Sequence, residues 1–385
     1  MDRPLSGLKV VELARILAGP WAGQLLADLG ADVVKVERPG SGDDTRAWGP
    51  PFAADGSAAY FHGCNRGKTS LAIDLHSPVG QEQVRALVAD ADVLIENFKA
   101  GSLQKYGLDF ASLSAINPRL IYCSITGFGQ DGPYSGRAGY DFIIQAMGGI
   151  MDLTGEPSGE PQKVGVAFAD IFTGIYASTA ILAALRGRES TGAGCHIDMA
   201  LLDTQVSVLG NQNLNYLVSG KPPVQMGNAH MNIAPYEVLP VRDGFFILAV
   251  GNDGQFQRFC KVVGLDHLTN DADFATNPAR VANRVRLRET LIAALAEWGR
   301  DELLPLLDAA GVPASPINNI AQMFEDPQVV ARGMRLDLDD RHGNRLPSVR
   351  SPMLMSATPP AYDRPSPRLG EHTAEILAEL ETPTR

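Results

Sequence analysis

The sequence predicts an α/β protein: a parallel sheet with helices on its faces, plus a smaller α/β domain. Three observations carry this. The first 130 residues alternate short strand-like runs with helical patterns, and such alternation gives a parallel sheet. SGKPP at 219–223 interrupts the chain as a boundary would. Beyond it a second series of strand and helix patterns begins.

In order, residues 8–13 (LKVVEL) read as the first strand and 19–29 as a helix stopped by Gly30. Strands follow at 32–37 (DVVKVE) and 69–75 (TSLAIDL). Ser77 then caps a helix opened by Pro78. Residues 91–96 (ADVLIE), 120–126 (LIYCSIT) and 195–199 (CHIDM) are further strands, with a helix over about 201–218. In the second series, strands at 236–239 and 245–250 flank the turn Arg242-Asp243-Gly244. Helices follow over 255–263, 284–298 and 301–310, the last interrupted by Pro305. The tail has strands around His342-Gly343-Asn344 and a closing helix over 373–380.

Ligands on a parallel sheet bind beyond the carboxyl ends of its strands. That rule selects residues 15–19, Arg38, Asn97 and residues 127–129. The loop after the first strand, ARILAGPWAG, is not GxGxxG, which argues against a dinucleotide. NRGKTS at 65–70 imitates the end of a P-loop, but His62 stands where the earlier glycine belongs. Arg66 and Lys68 are then read as a solvated basic turn.

Residues 164–186, VGVAFADIFTGIYASTAILAALR, form the most apolar run and hold one side chain charged at neutral pH before the terminal arginine, Asp170. A lone carboxylate in such a run is costly unless satisfied. The apolar spacing after it suits a largely buried helix starting near 168. Asp170 is then expected as its N-cap, kept ionised by the free amides of the first turn. The run is long enough to span a membrane, but a charge at such depth favours a core helix.

Formal net charge is -11, which disfavours nucleic acid and anionic membranes as partners. The first residues, MDRPLSGLKVVELAR, lack the apolar core of a signal peptide. Four dispersed cysteines without CxxC point to free thiols in a reducing, cytoplasmic setting. The seven histidines show no metal spacing, so no metal is expected, and GxSxG is missing.

Several stretches together resemble the class III CoA-transferases, the formyl-CoA transferase and carnitine CoA-transferase family. They are LARILAGPWAGQLLADLGADVVKVERPGSGDDTR, ENFKAGSLQKYGL, INPRLIYCSITGFGQDGP, RAGYDFIIQAMGG, the segment around Asp170, GVPASPINNI and LGEHT. GNAHMNIAPYEVL and GDDTRAWGPPF are most similar to the branch containing succinyl-CoA:glutarate CoA-transferase.

The resemblance implies that Asp170 is a nucleophile, forming an aspartyl–acyl anhydride and then an aspartyl-CoA thioester, with first-turn amides stabilising the oxyanions. It maps CoA contacts onto Leu17, Ala18, Arg38, Ile73, Asp74, Leu75, His76, Asn97, Phe98, Lys99, Lys105, Ala138, Gly139, Tyr140 and Asp141. Formyl-CoA transferase has glutamine in place of Leu17 and lysine in place of Ala138. Its glycine-rich lid is reduced here to Gly251, Asn252, Asp253, Gly254 and Gln255. Arg15, Arg46 and Arg137 are candidates by position for a second substrate carboxylate. CoA thioester enters as substrate, with no permanently bound cofactor.

The resemblance also implies a Rossmann-like large domain over 1–200, a linker at 201–224, a small α/β domain over 225–325, and a return over 326–385. The family assembles as an interlocked homodimer. Succinyl-CoA is the expected donor and a short dicarboxylic acid such as glutarate or itaconate the acceptor. Two alternatives remain. An α-methylacyl-CoA racemase would need a histidine where RAGYDF places Tyr140, a poor base at neutral pH. A noncatalytic CoA-binding protein would not depend on Asp170.

Overall fold

The computed structural model describes residues 3–360 and 362–381. In chain order the first elements are β1 (Lys9–Glu12), α1 (Ala18–Asp28), β2 (Asp32–Glu37), α2 (Ala59–His62), β3 (Thr69–Ala72), α3 (Pro78–Ala89), β4 (Val93–Glu96), α4 (Phe110–Ile116) and β5 (Ile121–Thr126). Next come α5 (Asp141–Met147), α6 (Ile150–Leu153), α7 (Phe168–Thr191), β6 (Cys195–Ala200), α8 (Leu201–Ser207) and α9 (Asn211–Ser219). Then follow β7 (Tyr236–Val241), β8 (Gly244–Ala249), α10 (Asp253–Val263), α11 (Asn277–Ala282), α12 (Arg284–Leu295), α13 (Arg300–Ala309), β9 (Ala314–Pro316) and α14 (Ile320–Glu325). The chain closes with α15 (Pro327–Ala331), β10 (Arg335–Asp339), β11 (Arg345–Val349) and α16 (Thr373–Glu381).

The fold is α/β, and two units are distinguishable. The larger takes the chain up to Ile150, Lys163–Val218, and the tail from Pro327. Its sheet has six parallel strands in the order β3-β2-β1-β4-β5-β6. Strand residues alternate between two cores. Val10, Val93, Ile95, Ile121 and Cys123 pack with Ala22, Ala177 and Ile181 of α1 and α7. Val11, Leu94 and Tyr122 face the other way, with Val84, Val88, Leu113 and Ile376 of α3, α4 and α16. As expected, Ser77 caps α3 by accepting from the Gly80 amide, with Pro78 in the first turn.

Several expectations need correction. The predicted strand at 69–75 ends at Ala72. The expected helix over 201–218 is two helices, because Gly210 takes a left-handed φ of 59° between them. Residues up to Val218 belong to the larger unit rather than to a linker. Arg66 and Lys68 are not solvated: both are buried, Arg66 against Asp28 and Lys68 against Glu12.

Among the described residues α7 is the one helix long and apolar enough to cross a membrane, and a third of its most apolar window is buried. One face packs closely on α1, where a Cβ at Gly174 would lie 2.7 Å from the Ala18 carbonyl oxygen. The other leaves Ile175, Tyr176 and Leu182 exposed. The core-helix expectation therefore describes one face only.

The smaller unit comprises Met151–Gln162 and Ser219–Asp326. Its antiparallel sheet β7-β8-β9 packs Phe246 and Leu248 against Phe256, Phe259, Leu287, Leu291, Leu303 and Leu307 of α10, α12 and α13. Arg280 is fully buried there, donating to the Ala234 and Phe274 carbonyls and pairing with Asp253 at 2.7 Å.

Candidate active site

The strand order reverses between β1 and β4, so the loops after these strands diverge and open a crevice. The two loops are tied across it. The Arg15 amide donates to Asn97 Oδ1 at 2.8 Å, and Asn97 Nδ2 donates to the Arg15 carbonyl at 2.6 Å. The resulting cleft, of about 230 Å³, is lined by Arg15, Leu17, Ala18, Asn97, Phe98, Lys99, Arg137, Ala138, Gly139, Tyr140 and Asp170. Ile16, Asp44, Gly127 and Leu201 complete much of the wall. Gly139 is there because of Gly127: a Cβ on Gly139 would lie 2.5 Å from the Gly127 Cα.

Asp170 is not the N-cap expected from the sequence. Ala167 occupies that position without a side-chain bond, and Asp170 lies in the first turn of α7. The cap comes from another helix. Asp141 Oδ1, in the first turn of α5, accepts from the Ala169 amide at 2.8 Å and the Asp170 amide at 3.4 Å. Gln145, one turn along α5, donates to the other Asp141 oxygen at 2.7 Å and to the Val166 carbonyl at 3.3 Å. Its own oxygen accepts from the Val164 amide at 2.9 Å. Two amides expected to meet an oxyanion are therefore already engaged.

With the cap supplied by Asp141, the Asp170 carboxylate has no hydrogen-bond or ion-pair partner among the described residues. Burial pushes its pKa up to about 7, and the Asp141 charge adds to the rise. The expectation that Asp170 caps the helix and is kept ionised by its free amides is overturned. Near neutrality it is divided between a neutral acid and a reactive, poorly solvated carboxylate. Sequence reasoning missed Tyr60 as a neighbour. Burial, followed by the Asp170 charge, pushes its phenol up to about 12. Tyr60 sits on α2 against Trp48, rings 5.2 Å apart, with no motif to mark it.

The predicted cations separate into distinct settings. Arg15 pairs with Asp44 at 3.0 Å, and the same carboxylate holds Arg38 at 3.3 Å. Arg46 is removed as a substrate cation: it is buried, bidentate to Glu37, and also bonded to Ser57 and the Pro367 carbonyl. Arg137 stacks on Tyr134 at 4.6 Å and has no carboxylate partner among the described residues.

Ile73, Asp74, Leu75, His76 and Lys105 do not line the cleft. Ile73 is buried in the core behind β3, and His76 packs edge-on against Tyr106, over which Lys105 lies. In the smaller unit, Gly251, Asn252, Gly254 and Gln255 form a closed turn. Asn252 caps α10 by accepting from the Gln255 amide, and the Gln255 side chain accepts from the Gly251 amide at 2.7 Å.

A larger cavity of about 650 Å³ is walled by Trp21, Phe52, Pro347 and Val349. Its carboxylate, Asp28, is neutralised by Arg66, so it offers no free nucleophile. No group of three or more metal-ligating side chains is assembled among the described residues.

The model of CoA-transferase family III matches residues 5–373. The chain belongs to that family. It is an enzyme that transfers CoA, and CoA thioesters are its substrates. It is 60% identical over 384 residues to the succinate–glutarate CoA-transferase of Agrobacterium fabrum, covering 98% of this chain and 96% of that one. It is 42% identical over 383 residues to human succinyl-CoA:glutarate CoA-transferase, covering 98% and 86%. Among solved structures, a CAIB/BAIF family protein from Brucella suis superposes with a TM-score of 0.89 at 60% identity, covering 99% of this chain and 100% of that one. The resemblance read from the sequence, including its succinyl-CoA:glutarate branch, agrees with these relatives.

Proposed function

We propose that this CoA-transferase moves CoA from succinyl-CoA to a short dicarboxylic acid, glutarate foremost, through covalent intermediates on Asp170. The observation that carries the reading is the unpaired Asp170 carboxylate in the switch-point cleft. It stands in a chain 60% identical to a protein named for succinate and glutarate. Asp170 attacks the succinyl thioester carbonyl; the C–S bond breaks, giving an aspartyl–succinyl anhydride and CoA thiolate. The thiolate attacks the aspartyl carbonyl, releasing succinate and leaving an aspartyl-CoA thioester. The acceptor carboxylate attacks that thioester, breaking its C–S bond and expelling CoA thiolate to form a second anhydride. The thiolate then attacks the acceptor's acyl carbonyl, giving the new acyl-CoA and freeing the Asp170 carboxylate. Each step exchanges one activated carbonyl for another, so little energy is lost.

A cleft of about 230 Å³ is smaller than the ~300–1,000 Å³ that encloses a drug-sized ligand. The acyl end and thioester occupy it, and the nucleotide lies outside, towards Arg38 and Lys105. Arg137 is the cation for the second carboxylate, because Arg15 and Arg46 are already paired. Replacing Arg137 by glutamine is expected to lower kcat/KM for glutarate about 100-fold. A monocarboxylate of equal chain length should change less than about threefold. Equal losses for both acids would remove Arg137 from this role.

The enzyme is proposed to work as a cytoplasmic homodimer, interlocked as in the resembled family. Its four cysteines are free, and apolar side chains stand exposed on three helices: Phe142, Ile143 and Met147 on α5, Ile175 and Leu182 on α7, Leu217 and Val218 on α9. An acceptor panel of glutarate, itaconate, mesaconate and matched monocarboxylates, read by mass spectrometry of the CoA esters, tests the substrate assignment. Transfer to monocarboxylates alone would overturn it. The racemase alternative is not favoured: Tyr140 lines the cleft where that chemistry needs a histidine.

A further inference from the structure

Ile16 lies in the wall of the cleft with φ of 72°, in the left-handed region. A β-branched residue seldom adopts it, because its Cβ crowds the backbone. Such strain persists only where the surroundings over-determine it. Those surroundings are a fully buried set of charges that the transfer chemistry does not use: Lys35, Lys68, Glu12 and Asp43, two cations and two anions.

The set grips the loop between β1 and α1 at two backbone points and the first turn of α1 at a third. Lys35 Nζ donates to the Ala14 carbonyl and Lys68 Nζ to the Pro20 carbonyl, each at 2.8 Å. Between them, the Ile16 amide donates to Asp43, 3.2 Å from Oδ2. Asn97 adds its reciprocal pair of bonds to Arg15 from across the crevice. The ion pairs hold one another in place: Lys35 lies 3.1 Å from Glu12 and 3.0 Å from Asp43, and Lys68 lies 2.8 Å from Glu12. Room for Glu12 requires a residue without Cβ opposite, since a Cβ on Gly23 would fall 1.8 Å from its Oε2. Buried ion clusters are weak sources of stability and are often no better than apolar side chains of the same volume. What this one does that apolar side chains would not is donate to and accept from the loop backbone.

We propose that Asp43, Lys35 and Lys68, with Asn97, are positioning residues that lock the β1–α1 loop in a strained, ligand-ready shape, so that the CoA thioester meets a preformed wall at residues 15–18. The proposal rests on the reading of the cleft as the CoA site. Preorganisation of this kind lowers the cost of binding rather than the barrier of the chemical steps. Its signature is a KM effect.

The test compares wild type with Asp43→Asn, Asn97→Ala and each combined with Ile16→Gly. Hydrogen exchange of the ligand-free chain reports on the loop itself. Both single variants should release the amides of residues 15 and 16, while the β1 amides stay protected. KM for succinyl-CoA should rise about tenfold with kcat within twofold. Adding Ile16→Gly should recover a large part of that rise, because glycine adopts a left-handed φ without strain. A merely structural role would lower the melting temperature without this split or this rescue. Unchanged loop exchange and unchanged KM in a folded variant would overturn the proposal. Should Asp43→Asn fail to fold, Asn97→Ala decides through its loop exchange in the ligand-free chain and its rescue by Ile16→Gly, since it removes no buried charge. Its KM alone does not decide, because Asn97 lines the cleft. If CoA protects some other segment of the wild-type chain, the cleft reading falls and the ligand-binding role with it. Loop exchange in the ligand-free variants then still shows whether the lock exists.

Discussion

Asp170 occupies the first turn of a helix yet receives nothing from it, because Asp141 has taken the amides. The consequence is a carboxylate whose ionisation is costly, with pKa pushed up to about 7 by burial and then by Asp141. Its ionised fraction grows as pH rises, so kcat/KM for succinyl-CoA should climb about tenfold per unit below pH 7 and level above it. Asp141→Asn removes the negative neighbour while keeping an acceptor for the Ala169 amide, and should move that profile to lower pH. A profile that does not move would show that the Asp141 charge does not reach the nucleophile. The same shift acts on stability. A carboxyl group with a raised folded pKa stabilises the fold below its unfolded pKa, and this contribution is lost as pH rises from about 4 through about 7. Asp170→Asn should therefore raise Tm by ~2–5 °C at pH 8 and change it little at pH 4. Asp170 was legible in the sequence as an isolated charge in an apolar run. Its cap was not, because Asp141 lies 29 residues upstream and only the packing of α5 on α7 joins them.

Elements with strong local signals stand where the sequence placed them: the Ser77-Pro78 start of α3, the strand DVVKVE, and the opening of the long helix at Phe168. The misreadings occur where tertiary contacts decide. NRGKTS reads as a polar turn, yet Lys68 is drawn into the core by Glu12 and the Pro20 carbonyl, partners far away in sequence. Arg46 is likewise claimed by Glu37. The short helix α2 carrying Tyr60 has no periodicity long enough to read. The close passage of α7 over α1 depends on Gly174, where a Cβ would lie 2.7 Å from a backbone oxygen and 2.9 Å from Trp21. Gly174→Ala should cost ~1–3 kcal/mol in chemical denaturation and displace the Asp170 turn, lowering kcat. Wild-type stability in that variant would mean the two helices have room to separate.

At the scale of the molecule, the order β3-β2-β1-β4-β5-β6 sets the switch point, and the switch point sets the site. The order of the strands along the chain was legible but their pairing was not, so the tie between Asn97 and Arg15 became visible only in the fold. Exposed apolar side chains on α5, α7 and α9 lead to the expectation of a dimer near twice the 41.2 kDa chain mass by light scattering. A monomer at micromolar concentration would leave those faces unexplained. Transfer chemistry on Asp170 is the claim on which the rest depends. The most direct measurement is mass spectrometry of peptides from enzyme quenched with hydroxylamine during turnover with succinyl-CoA. The account predicts hydroxamate on Asp170 in wild type, none in Asp170→Asn, and at least ~10³-fold less transfer in that folded variant. An unlabelled Asp170 in enzyme showing full transfer activity would contradict it.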